Sequence, residues 1–509
     1  MSDEPVSLKK KAAKGAAWVM LEQLCVQGFN FGLGVVLARL LTPEDYGSVA
    51  LVMVFITVAQ TLVASGLGQA LVQKKDADDL DFTTVFFLSL GVATLLYVVL
   101  FCAAPFVAAF YKIDELGLVL RILALNLILF AVNSVQSAEL FREMRFDVSF
   151  RISLVTSLAS AVVGLSLAFG GFGVWALVWS SVLSNASGVV ARWFFIRWRP
   201  RLAFSAARLK PLYRFGWKLM ASSLIYASLN NLYGVLIGRF YSRADLAFVN
   251  KGRNLPDLCK NNLNVALTES SFPALARMQD EPDRLLEAVR RLMAINVFVV
   301  FPTMMFLLLV SRDLILFLYG PKWEPCVVYM QIACAGAALA ALGGVHNVTA
   351  LSVGLSGLLL KVVVFRSILA IAVLCACLSH SVLLWVAMDS VVGVFVALTV
   401  YPWIGKSRIG YRYRMQLADV LPTMLLFAAV SAPVWAIGLV VPGEGFWSLF
   451  ARLALRAVLA ATLFLGGAFA FRLRALREIS SLVSPKIEAV FPAWSRVSRR
   501  LLRSADERA

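Results

Sequence analysis

The sequence predicts an all-α fold, a polytopic transmembrane helical bundle of about fourteen spans. Apolar runs of about 18 or more residues, each long enough to cross a hydrocarbon core, recur along nearly the whole chain. Of the 509 residues, 60% are hydrophobic and only 15% are charged, whereas a soluble protein carries about 25% charged residues. The mean hydropathy is +0.80, and no segment of soluble-domain length separates the apolar runs.

The polar segments between the apolar runs divide the chain into five parts. Spans 1–6 form a predicted N-terminal lobe over residues 1–195, and a basic linker follows at 196–212. Spans 7–12 form a predicted C-terminal lobe over 213–402, spans 13 and 14 occupy 403–471, and a basic amphipathic tail covers 472–509. The individual spans are predicted at 15–38, 46–72, 82–110, 117–138, 148–169, 173–195, 213–238, 246–275, 287–311, 327–351, 358–379, 381–402, 419–441 and 449–471.

The distribution of basic residues predicts the orientation of these spans. Of the 48 Lys and Arg residues, 35 lie in the two termini and in the loops on the same side of the membrane as the termini. Nine lie in the loops on the opposite side. Cytoplasmic loops carry the excess of Lys and Arg, so both termini are predicted to be cytoplasmic. The net charge of +18 is then explained by orientation and by anionic inner-leaflet lipids as partners. Nucleic acid is not predicted as a partner.

A short internal repeat supports the two lobes. The segment from Gly34 to Arg39, followed by Asp45, recurs 200 positions later from Gly234 to Arg239, followed by Asp245. Six spans separate the copies, and an even number gives both copies the same direction through the membrane. Parallel repeats of this kind are typical of transporters with a substrate site between the lobes.

Span 8 carries the densest set of polar residues in the apolar part of the sequence. Arg253, Asp257 and Lys260 follow a helical spacing that places them on one face. A charge at the centre of a membrane helix costs about 2.5–3.5 kcal/mol, so such residues are functional or paired. Because two cations accompany one acid, the face predicts binding of an anionic substrate; alternatively, Asp257 only neutralises a neighbour. The other members of the predicted site on this span are Lys251, Asn254 and Asn264.

Amide and tyrosine side chains on two further spans suit sugar hydroxyls. The same residue types also join helices within membranes, and both interpretations remain open. Glu22 of span 1, or Asp257, is predicted to couple transport to an ion. The residues added to the predicted substrate site are Gln27 and Asn30 of span 1, and Tyr226, Asn230 and Asn231 of span 7.

The sequence lacks the features of an enzyme. It has no Walker loop, no nucleophile elbow and no HExxH motif, and its outer loops are too short for a catalytic domain. The seven cysteines match no metal-binding or disulfide pattern, so no metal and no cofactor is predicted. Arg366 and Asp389, at similar depth on spans 11 and 12, predict a structural ion pair.

Several motifs resemble the polysaccharide exporter (Wzx-like) family of the MOP flippase superfamily, and most closely its colanic-acid-exporter-like branch. These motifs are spread over spans 1–10, about two thirds of the chain, and they are specific as a set. They are Ala38-Arg-Leu-Leu-Thr-Pro-Glu-Asp-Tyr-Gly47, Gly66-Leu-Gly-Gln-Ala-Leu-Val-Gln-Lys74, Phe272-Pro-Ala-Leu-Ala-Arg277 and Leu318-Tyr-Gly-Pro-Lys-Trp323.

The resemblance implies a MATE/MOP-like fold, with a V-shaped pair of six-helix lobes and two additional C-terminal helices. It implies a flippase of the bacterial inner membrane that moves an undecaprenyl-diphosphate-linked glycan outward by alternating access for surface or exopolysaccharide biosynthesis. The expected partners also include the polysaccharide polymerase machinery, and the expected oligomeric state is a monomer. The alternatives are an ion-coupled multidrug or small-molecule exporter of the same fold and, from another class, a membrane oligosaccharide polymerase or ligase.

Overall fold

The computed structural model describes residues 4–64, 67–74, 76–264, 271–377 and 380–479. Every regular element within these ranges is helical, which confirms the predicted all-α class. Eleven helices in this described part are long and apolar enough to cross a membrane, so the predicted count of fourteen is not confirmed. Predicted spans 1, 7 and 8 are not among the eleven, and they fall on the least apolar of the long helices.

The first of two compact units comprises residues Met1–Ala247. Predicted span 4 is divided at Ala124 into two helices of this unit. In chain order the helices of this unit are α1 (Glu4–Leu40), α2 (Pro43–Ala64), α3 (Leu67–Gln73), α4 (Asp79–Tyr111), α5 (Glu115–Leu123), α6 (Leu125–Arg142), α7 (Phe146–Phe169), α8 (Val174–Phe195), α9 (Ala206–Phe240) and the first turn of α10 (Arg243–Asn264).

The second compact unit comprises Phe248–Ala509. After the main part of α10 its helices are α11 (Phe272–Arg277), α12 (Pro282–Tyr319), α13 (Cys326–Ser352), α14 (Ser356–Cys377), α15 (Val382–Phe395), α16 (Tyr401–Ile404), α17 (Tyr413–Val440) and α18 (Phe446–Ala470). A single 3₁₀ turn, Pro321–Trp323, joins α12 to α13. Two π-helical turns, Val396–Val400 and Gly405–Ile409, flank α16, so predicted span 12 continues well past its expected end.

Predicted span 8 differs from the structure at its C-terminal end. The span was expected to run as one helix over residues 246–275, but α11 is a separate helix that begins at Phe272, after a turn at Ser271. The part of α10 that the structure describes extends to Asn264, and Thr268 lies outside the described residues. The described part of α10 therefore runs from residue 243 to residue 264.

The boundary between the compact units differs from the predicted boundary between the lobes. The units meet between Ala247 and Phe248, inside α10, whereas the predicted lobes are divided by the linker at 196–212. Helix α9, expected as the first helix of the C-terminal lobe, packs on α2, α3 and α4 of the first unit. The division into lobes therefore stays a prediction, and the compact units reflect packing.

The internal repeat is present as a matching helical corner. Helix α1 ends at Leu40 and α2 begins at Pro43; α9 ends at Phe240 and α10 begins at Arg243, again 200 positions later. In the first corner Thr42 donates its backbone N–H and its hydroxyl to Oδ2 of Asp45, at 2.9 and 2.8 Å. In the second, Ser242 donates the same two groups to Asp245, at 3.1 and 2.7 Å. Each carboxylate thereby satisfies the backbone N–H at the start of its helix, and each hydroxyl accepts the backbone N–H of Asp45 or Asp245 in return.

Small residues allow α9 to approach α2 closely. Gly234 and Gly238 lie four residues apart on one face of α9, and a side chain at either position would meet Val54 or Leu51 of α2. This spacing of small residues is a common means of helix association in membranes, because it maximises van der Waals contact. The repeat glycine Gly234 is therefore also a packing residue.

The start of α4 anchors part of the basic linker. Asp81 is fully buried and pairs with Lys74 at 2.5 Å and with Arg208 at 3.8 Å, and Arg208 also pairs with Asp78 at 3.2 Å. Asp78 caps α4 by accepting the backbone N–H of Asp81, and this hydrogen bond lowers the pKa of Asp78, with Arg208 adding to the effect. One basic residue of the linker is thus already bound by acidic residues of the protein.

Helix α12 is the centre of the second unit and packs on α13, α17 and α18. Near its C-terminal end, Asp313 is buried between Arg452 and Arg456 of α18. Near its N-terminal end, Arg290 binds Asp419 of α17 through two hydrogen bonds of 2.8 and 2.9 Å. Ion pairs therefore connect α17 and α18 to α12 at both ends of the bundle.

The beginning of the predicted tail packs against this unit. Leu473 and Ala475 are buried in a cluster with residues of α12, α17 and α18, and Leu476 and Ile479 lie against it. Residues 480–509 lie outside the described part of the chain. The amphipathic character of the tail therefore remains a prediction for those residues.

Candidate substrate-binding face

Helix α10 presents charged and amide side chains in a chain that is otherwise strongly apolar. Arg253, Asp257 and Lys260 are all partly exposed, and they project from the same stretch of the helix. Asn254, also predicted for the site, is exposed. The spacing that suggested a polar face in the sequence is therefore retained in the described helix.

Arg253 of α10 is paired with Asp389 of α15. Nη2 of Arg253 lies 3.3 Å from Oδ2 of Asp389, and about a quarter of each side chain is exposed. The guanidinium carbon also lies 5.6 Å from the ring centre of Trp385, one turn before Asp389 on the same helix. Helix α15 therefore contacts Arg253 through both a carboxylate and an aromatic ring.

This arrangement corrects the predicted Arg366–Asp389 ion pair. Arg366 on α14 is exposed, and the carboxylate of Asp389 is bound by Arg253 instead. The prediction paired Arg366 with Asp389 because both were expected at similar depth in the membrane on neighbouring spans. Depth alone does not fix the direction in which a helical side chain points.

Lys260 and Asp257 form a second pair on α10 itself. Their Nζ and Oδ1 atoms are 2.7 Å apart, with a third of the lysine and half of the aspartate side chain exposed. Together with Arg253 and Asp389, the face carries two cationic and two acidic side chains. The net positive charge expected from α10 alone is thus offset by Asp389 of α15.

Lys251 lies in a different environment from the other two cations of α10. Its ammonium group is 5.1 Å from the ring centre of Tyr319 and 5.7 Å from that of Trp323, which is fully buried. Next to it, a side chain at Gly252 would meet Tyr329 of α13 at 2.8 Å. Lys251 therefore packs where α10 approaches α13, and its assignment to the substrate site remains a prediction.

Among the predicted site residues of the first unit, the structure describes the side chains of Gln27, Asn30 and Asn231. Gln27 and Asn30 are exposed on α1. Asn231 donates a hydrogen bond of 2.8 Å to the carbonyl of Ala227, and it lines an apolar cavity of about 360 Å³ formed by α2, α4 and α9. The side chains of Tyr226, Asn230 and Asn264 lie outside the described side chains.

Glu22 belongs to a polar network inside the first unit. Its carboxylate accepts hydrogen bonds from Ser153 of α7 at 2.6 Å and from Ser149 at 3.4 Å. On α8, Arg192 donates to Asn133 of α6 at 2.9 Å. Neither the serines nor Arg192 were predicted for any site. Isolated serines in an apolar span give no periodic signal.

Two solved structures show the class of fold. The chain aligns with the lipid II flippase MurJ in an inward closed conformation at a TM-score of 0.66 and 12% identity, over 89% of this chain and 98% of that one. It aligns with an inward-facing multidrug resistance MATE family transporter of the MOP superfamily at a TM-score of 0.58 and 14% identity, over 82% of this chain and 98% of that one. The fold is that of MOP-superfamily transporters, as predicted.

Curated relatives cover about two thirds of the chain. They include the lipopolysaccharide biosynthesis protein WzxC of Escherichia coli strain K12, 24% identical over 66% of this chain and 69% of its own length. The teichuronic acid biosynthesis protein TuaB of Bacillus subtilis strain 168 is 24% identical over 64% and 68%. The succinoglycan biosynthesis transport protein ExoT of Rhizobium meliloti strain 1021 is 26% identical over 63% and 65%.

The family model described as "Polysaccharide biosynthesis protein" matches residues 36–328, more than half of the chain. The protein belongs to this family, and the predicted resemblance is confirmed. Eleven helices of the described residues are long and apolar enough to cross a membrane, which supports a multi-pass membrane protein. The structural neighbours MurJ and MATE are transporters and not enzymes, in line with the prediction.

Proposed function

We propose that the protein is a flippase for a polyprenyl-diphosphate-linked oligosaccharide. It moves this cargo by alternating access from the cytoplasmic to the periplasmic face of the inner membrane, where the glycan enters surface or exopolysaccharide biosynthesis. Membership of the polysaccharide biosynthesis family and the similarity to WzxC and ExoT support this function. Undecaprenyl diphosphate is the lipid carrier of the oligosaccharide that suits this function.

The observation that carries the proposal is the polar face of α10. Arg253 and Lys260 are seven residues apart, which corresponds to about 10 Å along a helix axis. The planar guanidinium group binds diphosphate oxygens through two parallel hydrogen bonds, and the ammonium group adds a point charge. The exposed Asn254 beside them supplies an amide that can bind sugar hydroxyls.

The orientation and the other partners follow from the distribution of charge. Both termini lie in the cytoplasm, and the basic loops on that side bind anionic lipids of the inner leaflet. The flippase acts as a monomer and delivers its cargo to the polymerase machinery. Glu22 of α1, which accepts a hydrogen bond from Ser153 of α7, is the acid that would couple transport to a cation.

The proposal is tested by rescue of surface polysaccharide in a strain that lacks this protein. Arg253→Ala and Lys260→Ala should lose most of the polymer, since removing the partner of a desolvated phosphate costs about 2–5 kcal/mol. Arg253→Lys should also lose activity, because lysine keeps the charge but not the planar fork. Immunoblots of membrane fractions establish that each variant is inserted.

Arg312→Ala is the matched control for this experiment. Arg312 is another cation of the second unit, but it is half exposed and pairs with Glu324 and Glu444 at 3.1 and 2.9 Å. Its removal should leave polymer production unchanged. If Arg253→Ala and Lys260→Ala insert normally and restore full polymer, the cargo is bound elsewhere.

The two carboxylates of the same face favour one alternative, the export of an organic cation. Asp257 and Asp389 could bind such a cation if Lys260 and Arg253 moved away, and the MATE transporters share this fold. Loss of such an exporter would increase the sensitivity of the cell to cationic drugs while leaving its surface polymer intact. Drug susceptibility and polymer content of the deletion strain therefore separate the two functions.

A further inference from the structure

We infer that Asp389 is a positioning residue that competes with the cargo diphosphate for Arg253. This inference rests on the proposed function and extends it to a residue of α15. In the absence of cargo, Asp389 holds the guanidinium group and keeps the polar face neutral. When the diphosphate binds, its oxygens replace the carboxylate, and the return of the carboxylate helps to release the cargo.

The geometry of the pair favours exchange of partners. A structural ion pair in the same unit has a more enclosed carboxylate and a second hydrogen bond: Arg290, itself 29% exposed, binds Asp419 through two bonds of 2.8 and 2.9 Å, and Asp419 is only 3% exposed. In contrast, Arg253 contacts Asp389 at 3.3 Å, with side-chain exposures of 23% and 24%. A partner that approaches from the exposed side can reach Arg253 without unpacking the bundle.

Trp385 keeps Arg253 in place during such an exchange. Its ring lies 5.6 Å from the guanidinium carbon, on the same side of α15 as Asp389. A cation over an aromatic face is attracted by the ring regardless of which anion it binds. The guanidinium group can therefore change its anionic partner without leaving its position.

The charges of the polar face explain why a carboxylate that competes with the diphosphate favours release of the cargo. Arg253 and Lys260 are balanced by Asp257 and Asp389, so the empty face carries no net charge. An uncompensated charge within a membrane protein is costly, and neutrality allows the empty carrier to change conformation. A face with two cations and only Asp257 would bind the diphosphate more tightly, but it would also release it more slowly.

The inference is tested with purified protein in nanodiscs and undecaprenyl diphosphate as the probe. Asp389→Asn removes the competing charge with little change in shape, and its affinity for the probe should rise about tenfold, which corresponds to about 1.4 kcal/mol. Polymer production in cells should fall, because release becomes slow. Asp389→Glu, which retains the carboxylate, should keep an affinity close to that of the wild type.

A double-mutant cycle shows whether the effect passes through Arg253. Asp389→Asn combined with Arg253→Gln should bind the probe no more tightly than Arg253→Gln alone, because the residue that is competed for is gone. Glu444→Gln is the matched control, since it removes one carboxylate from the exposed ion pair with Arg312 and should not change the affinity. Asp389→Ser repeats the neutralisation with a smaller side chain in case Asp389→Asn fails to fold.

The possible results separate this inference from the proposed function. If the wild-type protein binds undecaprenyl diphosphate but Asp389→Asn and Asp389→Ser bind it equally or more weakly, the competition is wrong and the flippase function stands. If wild-type protein and Arg253→Gln bind the probe no better than an empty nanodisc does, the proposed function itself fails.

Discussion

Gly47 lies in the second turn of α2, where the backbone of Arg243 passes directly against it. A side chain at this position would overlap the carbonyl oxygen of Arg243, whose carbonyl carbon would be only 2.5 Å away. Backbone atoms at the start of a capped helix cannot move aside as a flexible side chain can. The close approach of the two repeat corners within the first unit therefore requires glycine.

Gly47→Ala should lower the free energy of unfolding by about 1–3 kcal/mol, the usual cost of excess volume in a packed site. Thermal unfolding of the detergent-solubilised protein measures the change. Gly91→Ala is the control, because a methyl group at Gly91 meets no atom within 4 Å. Equal stability of the two variants would show that the corners do not pack as closely as described.

Asp419 is a buried carboxylate with several partners. Besides Arg290 it accepts a hydrogen bond of 2.9 Å from Tyr411 and lies 3.5 Å from Arg474. Burial, followed by the charge of Asp419, raises the pKa of Tyr411 above its usual range, so this hydroxyl stays protonated and can donate its hydrogen bond. The carboxylate thus connects α12, α17 and the beginning of the tail.

Asp419→Asn should destabilise the protein by about 1.5–3 kcal/mol, the usual contribution of hydrogen bonds to a charged group, because it removes the counter-charge of two partly exposed arginines. Glu444→Gln removes a carboxylate from an exposed ion pair and should cost less than about 1 kcal/mol. Chemical denaturation in detergent compares the two variants. A cost for Asp419→Asn as small as that for Glu444→Gln would contradict the structural role of the cluster.

At the scale of elements, the segment after α18 behaves as part of the second unit. Glu478 pairs with Arg291 of α12 at 2.9 Å, and Arg474 pairs with Asp419 of α17. Leu473 and Ala475 are buried beside these ion pairs. The contacts of this short segment are therefore both apolar and ionic.

A chain that ends at Phe471 should be less stable than one that ends at Ile479. The longer chain keeps Leu473 in its buried site, and burial of one leucine alone contributes about 1.5–3 kcal/mol. The melting temperatures of the two truncated proteins, each compared with the full chain, provide the measurement. Identical melting temperatures would mean that residues 472–479 do not stabilise the unit.

The sequence predicted those elements whose signal is local or periodic. The all-α class, the apolar runs and the repeated corner at Asp45 and Asp245 all depend on residues close together in the chain. Asp389 could not be matched with Arg253 in this way, because 136 positions separate them and only the tertiary fold brings their side chains together. The separate start of α11 at Phe272 was also missed, since the polar residues before it do not by themselves mark a helix boundary.

At the scale of the whole molecule, the predicted orientation can be tested directly. Reporter fusions after residues 112, 243 and 320 should report outside, and fusions after 75, 205, 284 and 410 should report inside. The physical reason is the excess of Lys and Arg on the cytoplasmic side. A reversed signal at residue 205, beside the most basic loop, would contradict the topology.

The capped starts of α2 and α10 contrast with the proline inside α10. Hydrogen bonds from Thr42 to Asp45, and from Ser242 to Asp245, hold the first turn of each of these helices. Pro256 removes one backbone hydrogen bond, so α10 should bend more readily there than at its capped start. Spin labels placed on the first two turns of α10 should report one unchanging distance throughout a transport cycle, while labels on either side of Pro256 record the bending.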